Sequence, residues 1–205
     1  TQVSVADVQF KIAPRINACG RMKSAKLAME LLLSETEHIA LKNIHEIEET
    51  NNKRKLLTKR LYDEAIDQVD NDEPSIIIHS PKMHEGVLGI VASRLANEYS
   101  KVAVVLKEDD YTYKGSIRSY NGVDVIYILR KLKDILLRFG GHQNAAGLEF
   151  IKEHLDEFKA RFNDLMPTAT YEDIIEAEGI INIEKLPVQQ IVELERFDLK
   201  DAVFI

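Results

Sequence analysis

The residues best suited to chemistry lie in one short stretch, Phe139–Gly147, which reads FGGHQNAAG. Gly140 and Gly141 let the backbone approach a ligand closely, and His142 places an imidazole beside their N–H groups. The run from Asn144 to Gly147 consists of small residues that block nothing in front of these donors. Such a stretch can bind an anion, most often a phosphate. A tight loop between a helix and a strand explains the same residues equally well.

A second polar pair lies in the predicted strand Thr112–Ser119. Ser116 and Arg118 are two residues apart, so on a strand both side chains point to the same face of the sheet. A hydroxyl group beside a guanidinium can hold one phosphate, and Gly115 removes bulk next to the pair. An exposed polar strand face is the alternative.

The segment Phe10–Met22, with the sequence FKIAPRINACGRM, offers further donors. Arg21 carries a forked guanidinium, as does Arg15 nearby, and Asn17 adds an amide. Pro14 and Gly20 make a long regular helix unexpected, so we predict a loop that leads into a helix. A solvated basic loop that only connects two elements is the alternative.

Another candidate is His84, in the stretch HEGVLGIVASR. This stretch follows the predicted strand Ser75–His79 and reads as a glycine-bearing loop that runs into a helix ending near Tyr99. A strand, a glycine loop and a helix N-terminus together present N–H groups to an anion. A structural role for the histidine is the alternative. Arg94 in the same stretch could pair with an acid or bind the ligand, and pairing is at least as well supported.

Other elements have to position these residues. No Gly or Pro interrupts residues 34–70, whose apolar residues recur at helical spacing, so we predict one long helix with a solvated charged face. Strands and helices alternate beyond it, which indicates an α/β fold: a long connecting helix followed by a mixed-sheet α/β domain with flanking helices. The later elements are predicted as a strand at Val102–Leu106, a helix at Val125–Leu137, a loop at Gly140–His142, a strand at Leu148–Ile151, a helix from His154 to Met166, a strand at Tyr171–Ile181 and a helix at Pro187–Arg196.

Composition sets limits on function. The 205 residues carry a net charge of −7, which argues against a surface coated in positive charge for nucleic-acid binding. The basic residues between Val8 and Met29 nevertheless form a local track without an acid. Cys19 is the single cysteine, which excludes an internal disulfide and a cysteine-rich zinc site and favours a reducing cytoplasm. No apolar run is long enough to span a membrane. The chain lacks an initial methionine and opens directly into a motif, which suggests a piece of a longer protein.

Four motifs, in this order, resemble those of one family: FKIAPRINACGRM, HEGVLGIVASR, KGSIRS and FGGHQNAAG. They are similar to the RecJ family of bacterial single-strand-specific DNA exonucleases, within the DHH phosphoesterase superfamily. The resemblance covers residues 8–150 well and those beyond 170 only loosely. It implies four regions: the C-terminal end of a DHH domain at 1–33, an interdomain helix at 34–70, a DHH-associated substrate-binding domain at 71–168 and the incomplete start of an OB-fold at 169–205.

The resemblance also implies a function. The full protein would be a metal-dependent 5′→3′ exonuclease acting on single-stranded DNA in repair and recombination, and this chain its substrate-binding half, without activity of its own. Mn²⁺ or Mg²⁺ would be bound by the DHH domain, whose metal-binding motifs are absent from these residues. We therefore expect no catalytic residue and no metal ligand here. Carried over by motif, the residues that would bind phosphate and DNA are Asn17, Arg21, His84, Ser116, Arg118, Gly140, Gly141 and His142.

The implied partner is single-stranded DNA with a 5′ phosphate, together with a helicase or a single-strand-binding protein, in the cytoplasm and away from membranes. Three alternatives remain at this point, and one of them is a purely structural domain that binds neither single-stranded DNA nor tRNA. Another is a DHH-type phosphoesterase for short oligonucleotides or cyclic dinucleotides, against which the long helix and the arginine-rich entry segment speak. The third is a tRNA-binding module like that of alanyl-tRNA synthetases.

Overall fold

The structure is a computed structural model and describes residues 3–166. A π-helical turn, Asp7–Ile12, leads into the first helix, and a short 3₁₀ turn, Lys152–His154, precedes the last one. The helices are α1 (Ala13–Met22), α2 (Lys26–Leu32), α3 (Glu37–Ile66), α4 (Leu88–Tyr99), α5 (Val125–Lys131) and α6 (Leu155–Asp164). The strands are β1 (Ile76–Ser80), β2 (Ala103–Glu108), β3 (Thr112–Arg118), β4 (Arg138–His142) and β5 (Ala145–Ile151).

The five strands form one mixed sheet in the order β1-β2-β3-β5-β4. β1 and β2 are parallel, and every other neighbouring pair is antiparallel. The interior strand β2 is buried on both faces along Ala103–Leu106, as expected for an unbroken apolar run. A long helix followed by a mixed sheet with flanking helices confirms the predicted α/β fold class.

The two faces of the sheet are covered to different extents. On one face α5 and α6 close a core around Ile117 and Phe150, where the rings of Phe150 and Phe158 stack with centroids 4.7 Å apart. On the other face α4 packs over β2 and β3 and buries Val105 among its own apolar residues. The residues of β4 and β5 on this second face, such as Gly140 and Gly147, remain exposed. One sheet surface is therefore open beside α4.

Helix α3 connects two packing units. Its N-terminus is capped by Thr36, whose hydroxyl accepts from the Ile39 N–H at 3.4 Å. Ile47, near the middle, packs with α1 and α2 against Cys19 and Ala28. The last turns pack into the core beneath α4 instead, where Leu61 is fully buried. The helix therefore lies within the predicted range, and its interdomain role stays a prediction.

The end of α3 is fastened to α4 by a polar contact around Tyr62. The buried Tyr62 hydroxyl donates a hydrogen bond to the Glu98 carboxylate. Arg94 lies over the Tyr62 ring, 3.7 Å from its centroid, and its Nε is 3.9 Å from Glu98 Oε2. The expected pairing of Arg94 with an acid is thus present, on the same helix. Burial, followed by the contact with Glu98, raises the pKa of Tyr62 to about 12.

The prediction for Phe10–Met22 was wrong, because the segment is helical and not a loop. Pro14 directly follows the π-helical turn Asp7–Ile12, and the helical backbone continues through it into α1. Gly20 lies near the end of the helix, where the glycine costs little. Arg15 does not face a ligand site, since its Nη2 pairs with Glu48 at 2.7 Å.

The predictions around the glycine–histidine motif need a similar correction. Helix α5 ends at Lys131 rather than Leu137, because the chain continues through turns that bury Leu132 and Ile135. Gly140–His142 belong to β4, an edge strand that pairs with β5, and the turn falls at Gln143–Asn144. Pairing with β5 overrides the poor strand propensity of the glycines. The strand predicted at Leu148–Ile151 begins earlier, at Ala145.

Some predictions lie outside the described residues. These are the strand at Tyr171–Ile181, the helix at Pro187–Arg196 and the OB-fold region at 169–205. Among the helices of residues 3–166, none is both long enough and apolar enough to cross a membrane.

Tyr62→Phe tests the contact between α3 and α4. Losing the hydrogen bond to Glu98 should lower the free energy of unfolding at pH 7 by about 1 kcal/mol. The folded state favours the neutral phenol, so the parent should lose stability as the pH rises from 10 towards about 12, and the variant should lose less. Urea unfolding at several pH values measures the difference, which should shrink above pH 10. A stability difference between parent and Tyr62→Phe that does not change with pH would contradict the hydrogen bond to Glu98. Tyr111→Phe, which changes an exposed tyrosine, is the control.

Candidate anion-binding site

The polar pair on β3 is arranged as its spacing predicts. Ser116 and Arg118 point to the sheet face that α4 covers in part. Arg118 Nη1 donates to Ser116 Oγ at 2.9 Å and to the Ile117 carbonyl at 2.7 Å. The guanidinium is half-buried and held by neutral acceptors, so its positive charge is retained. It is therefore oriented by the sheet before any ligand is present.

The N-terminal turn of α4 lies directly on this pair. A Cβ added to Gly89 would stand 2.3 Å from Arg118 Nη2 and 3.2 Å from Ser116 Oγ, so only glycine allows the approach. Val87, the residue that precedes the helix, offers no side-chain cap to the first N–H groups. The positive end of the helix dipole and the Arg118 guanidinium consequently act on the same space.

Arg21 reaches the same place from α1. Its Nη1 donates to the Gly86 carbonyl at 3.2 Å, and a Cβ on Gly86 would stand 1.9 Å from the Arg21 carbonyl oxygen. The glycine loop before α4 and the C-terminal end of α1 are thus in backbone contact. Asn17 is exposed one turn earlier on α1, and residues four apart share a helix face. Arg21 therefore contacts the loop before α4, and Asn17 lies one turn away from Arg21 on the same helix face.

A third arginine, Arg54 on α3, lies near enough to Arg21 for the two charges to interact, and it was missed in the sequence. Burial, and after it the charge of Arg21, lowers the pKa of Arg54, and the same two causes lower the pKa of Arg118. The prediction had treated the charges of the long helix as a solvated face. The spacing of residues along the helix could have identified Arg54. Residues 51, 54 and 58 are three and four apart, so Arg54 lies on the same helix face as the buried residues Asn51 and Thr58.

The three guanidinium groups have no acid near them. Over residues 3–166, no carboxylate oxygen lies within 4.0 Å of Arg21, Arg54 or Arg118, whereas Arg15, Arg138 and Arg161 each pair with at least one acid. Like charges gathered without a counter-charge repel one another and favour the binding of an anion. We call Arg21, Arg54 and Arg118, with Ser116, the arginine cluster.

Beside the arginine cluster the open sheet surface is made of small residues. Ser116 stands in register with Gly147 and Gly140, and Arg118 with Ala145 and His142, so each row shares one face. Two strand spacings separate Arg118 from His142, a distance of about 10 Å. A Cβ on Gly140 would meet no atom within 4 Å, so the fold does not require the glycine there.

The surface over these glycines is a shallow cavity of about 300 Å³, whose lining includes Lys114, Arg138, Gly140, Gly147 and Glu149. The Arg138 guanidinium contacts the Glu149 carboxylate, so this acid is already neutralised. His142 is exposed at the edge strand. The sheet face that carries Arg118 and Ser116 therefore also carries Gly140 and His142. Gly141 lies between these two residues in the edge strand β4.

His84 has a local role in shaping the loop before α4. Its ring Nδ1 accepts a hydrogen bond from the Gly86 N–H at 3.1 Å. Only Nε2 is then left to contact a ligand, and the ring is half-buried. Phosphate binding by His84 remains a prediction. The hydrogen bond from the Gly86 N–H supports the alternative, a structural role for the histidine.

Four charged side chains fix the same loop to the sheet. Lys107 Nζ lies 3.3 Å from Glu85 and 2.7 Å from Asp109, and Lys114 Nζ lies 3.5 Å and 3.2 Å from the same two acids. The hydrogen bond from Lys107, with both lysine charges, holds the pKa of Glu85 below its usual value. This network is electrically balanced, so it adds no net charge beside the arginine cluster.

The described residues do not fit a metal ion. Between residues 3 and 166, no group of three His, Cys, Asp or Glu side chains could hold one. The chemistry available here is the binding and orientation of an anion by guanidinium, hydroxyl and backbone N–H donors.

Comparisons with known proteins show which family this chain is similar to. The family model described as the DHHA1 domain matches residues 73–168. The single-stranded-DNA-specific exonuclease RecJ of Bacillus subtilis is 35% identical over 196 residues, which are 91% of this chain and 25% of that protein. The crystal structure of RecJ in complex with Mg²⁺ from Thermus thermophilus covers 96% of this chain and 31% of its own, at 30% identity and a TM-score of 0.79. A Mn²⁺ complex from the same organism gives a TM-score of 0.78 at 30% identity, over 97% of this chain and 30% of that one.

The sheet with its flanking helices is thus a DHHA1 domain, the class of domain that the fold and the family model define. The chain belongs to the RecJ family, which confirms the resemblance carried by the four motifs. It spans about a quarter to a third of the length of the relatives it matches.

Adjacent alanine substitutions separate a glycine that the fold requires from one that it does not. Gly141 has φ +148°, and a Cβ there would stand 2.3 Å from the Ala145 carbonyl oxygen, so Gly141→Ala should cost about 2 kcal/mol or more. Gly140→Ala should change stability by less than about 0.5 kcal/mol. Urea unfolding of both variants measures the contrast. Equal destabilisation would show that Gly140 is also a folding requirement and would remove it as evidence for a ligand surface.

Proposed function

We propose that this chain is the substrate-binding part of a metal-dependent 5′→3′ exonuclease that acts on single-stranded DNA in repair and recombination. The observation that carries the proposal is the arginine cluster, in which three guanidinium groups converge without an acid. A phosphate group supplies the missing negative charge and accepts from forked donors. The RecJ relatives, named as single-stranded-DNA-specific exonucleases, supply the substrate class.

In this proposal the arginine cluster binds the 5′ phosphate at the end of the strand. Arg118 and Ser116 contact it from the sheet, Arg21 from α1 and Arg54 from α3. Asn17, one turn from Arg21, would contact the adjoining sugar or phosphate. Since guanidinium and hydroxyl donors bind phosphates and not base edges, the grip is independent of DNA sequence.

The next nucleotides would follow the open sheet surface. Gly147 and Gly140 let the sugar–phosphate backbone approach the strands, and the N–H groups and imidazole at Gly141 and His142 would contact the phosphate to be cleaved. His84 would approach the strand through Nε2. Within residues 3–166, no aromatic ring lines the cavity except Phe139, so base stacking contributes little compared with backbone contacts.

A Mn²⁺ or Mg²⁺ ion held by a DHH domain would activate the water that attacks the phosphate. The residues described here would hold the phosphate and neutralise charge, with no catalytic residue among them. We propose that residues 1–33 are the end of that DHH domain, 34–70 the helix that joins it to the substrate-binding domain at 71–168, and 169–205 the start of an OB-fold. Several large apolar side chains on the first helices are exposed, including Phe10 and Leu32, which suits a surface that packs against further protein.

The alternatives are not favoured. A phosphoesterase for short oligonucleotides or cyclic dinucleotides and a tRNA-binding module would each share the DHHA1 domain, but the relatives that match most of this chain are RecJ exonucleases. The same proposal places the protein in the cytoplasm, acting with a helicase or a single-strand-binding protein.

Arg118→Ala tests the phosphate grip. Binding of the 205-residue chain to single-stranded DNA with a 5′ phosphate should weaken about tenfold, and the slope of log K against log salt should fall by about one. Arg130→Ala, which removes the same charge from α5 on the other sheet face, should change affinity less than about twofold. Fluorescence anisotropy at several salt concentrations measures both variants.

The same titrations distinguish the competing functions. The parent should bind 5′-phosphorylated DNA more tightly than the same DNA with a 5′ hydroxyl, and more tightly than tRNA or a dinucleotide. Equal affinity for the two DNA ends, or a preference for tRNA, would contradict the proposal.

A further inference from the structure

Asn51 is a buried amide in the middle of α3, 1% exposed. Its Oδ1 accepts hydrogen bonds from Arg54 Nε at 3.2 Å and from Arg54 Nη2 at 2.9 Å. Because a guanidinium only donates, the oxygen and not the amide nitrogen has to face Arg54. One edge of the guanidinium is thereby fixed, and the donors on its other side remain for a ligand.

This arrangement has a cost at the other end of the amide. Within the part of the chain that the structure describes, Asn51 Nδ2 is the one buried side-chain nitrogen or oxygen without a hydrogen-bond partner. Leaving a buried donor unpaired costs its full desolvation free energy, and such a group in a native protein calls for an explanation.

An aspartate at position 51 would bury no unpaired donor. One of its oxygens would accept both hydrogen bonds from Arg54 in the same geometry, the second would take the place of the amide nitrogen, and the hydrogen bonds would be charge-assisted and stronger. The aspartate would also cancel the charge of Arg54, which an asparagine leaves in place. The other two arginines of the cluster are likewise held by neutral acceptors: Arg21 by the Gly86 carbonyl, and Arg118 by Ser116 and the Ile117 carbonyl.

We propose that Asn51 is a positioning residue that orients Arg54 toward a phosphate while leaving its positive charge uncancelled. The inference rests on the proposed function of the arginine cluster and adds Arg54 and Asn51 to it. Neither an apolar nor an acidic residue could take the place of this amide. An apolar residue would not orient Arg54, and an acidic residue would cancel its positive charge.

The test compares Asn51→Asp with Asn52→Asp, the same change of charge at the exposed neighbouring position on α3. Asn51→Asp should weaken binding to 5′-phosphorylated single-stranded DNA about tenfold and lower the salt slope. It should also raise the melting temperature by about 3 °C, because the like charges then have a counter-charge. Asn52→Asp should bind within about twofold of the parent.

Asn51→Leu gives the complementary change, since it keeps the charge of Arg54 and removes the acceptor. Its affinity should fall severalfold while its salt slope stays close to that of the parent. A loss of affinity together with a gain in thermal stability in Asn51→Asp is a result that a purely structural asparagine would not produce.

The outcomes separate the inference from the function on which it rests. If Arg118→Ala weakens binding but Asn51→Asp binds as tightly as Asn52→Asp, the role of Asn51 is overturned and the proposed function stands. If the parent shows no preference for a 5′ phosphate, the proposed function falls and the inference falls with it.

Discussion

Repulsion among three guanidinium groups that have no acid beside them is the main electrostatic constraint at the candidate site. Arg21, Arg54 and Arg118 come from α1, α3 and β3, so bringing them together requires three elements to be held in fixed positions. Each is oriented by a neutral oxygen, which fixes the direction of the side chain without reducing its charge. Such a cluster costs folding free energy that the surrounding packing has to offset, and binding of an anion relieves the cost. We therefore regard the cluster as a site prepared for an anion.

The packing that offsets this repulsion is found on every side of the cluster. Burial of the last turns of α3 beneath α4, together with the contacts among Tyr62, Glu98 and Arg94, fixes the helix that carries Arg54. The four-residue charged network fixes the loop before α4 to β2 and β3. Gly86 and Gly89 let that loop and helix contact Arg21 and Arg118 directly. The glycines of the HEGVLGIVASR motif thus serve close approach, and the sheet surface beside α4 stays open.

Local periodicity was enough to predict the parts of the site that lie on one element. The two-residue spacing of Ser116 and Arg118 predicts a shared strand face, and the apolar run in β2 predicts a strand buried on both sides. What could not be predicted depends on contacts distant in sequence. Gly140–His142 form a strand only because β5 pairs with it, and Arg54 joins the cluster only because α3 turns that stripe toward α1 and the sheet. The loop prediction at Phe10–Met22 was wrong because Pro14 follows a π-helical turn and the helix continues through it.

The most direct measurement is an NMR titration that follows the arginine Nε–H signals of the 205-residue chain as a short single-stranded oligonucleotide with a 5′ phosphate is added. If the three guanidinium groups bind one phosphate, the signals of Arg21, Arg54 and Arg118 shift together with a single dissociation constant. Those of Arg130 and Arg161, which lie away from the cluster on the other side of the sheet, stay in place. Shifts confined to one of the three, or larger shifts at Arg130 and Arg161, would contradict the account.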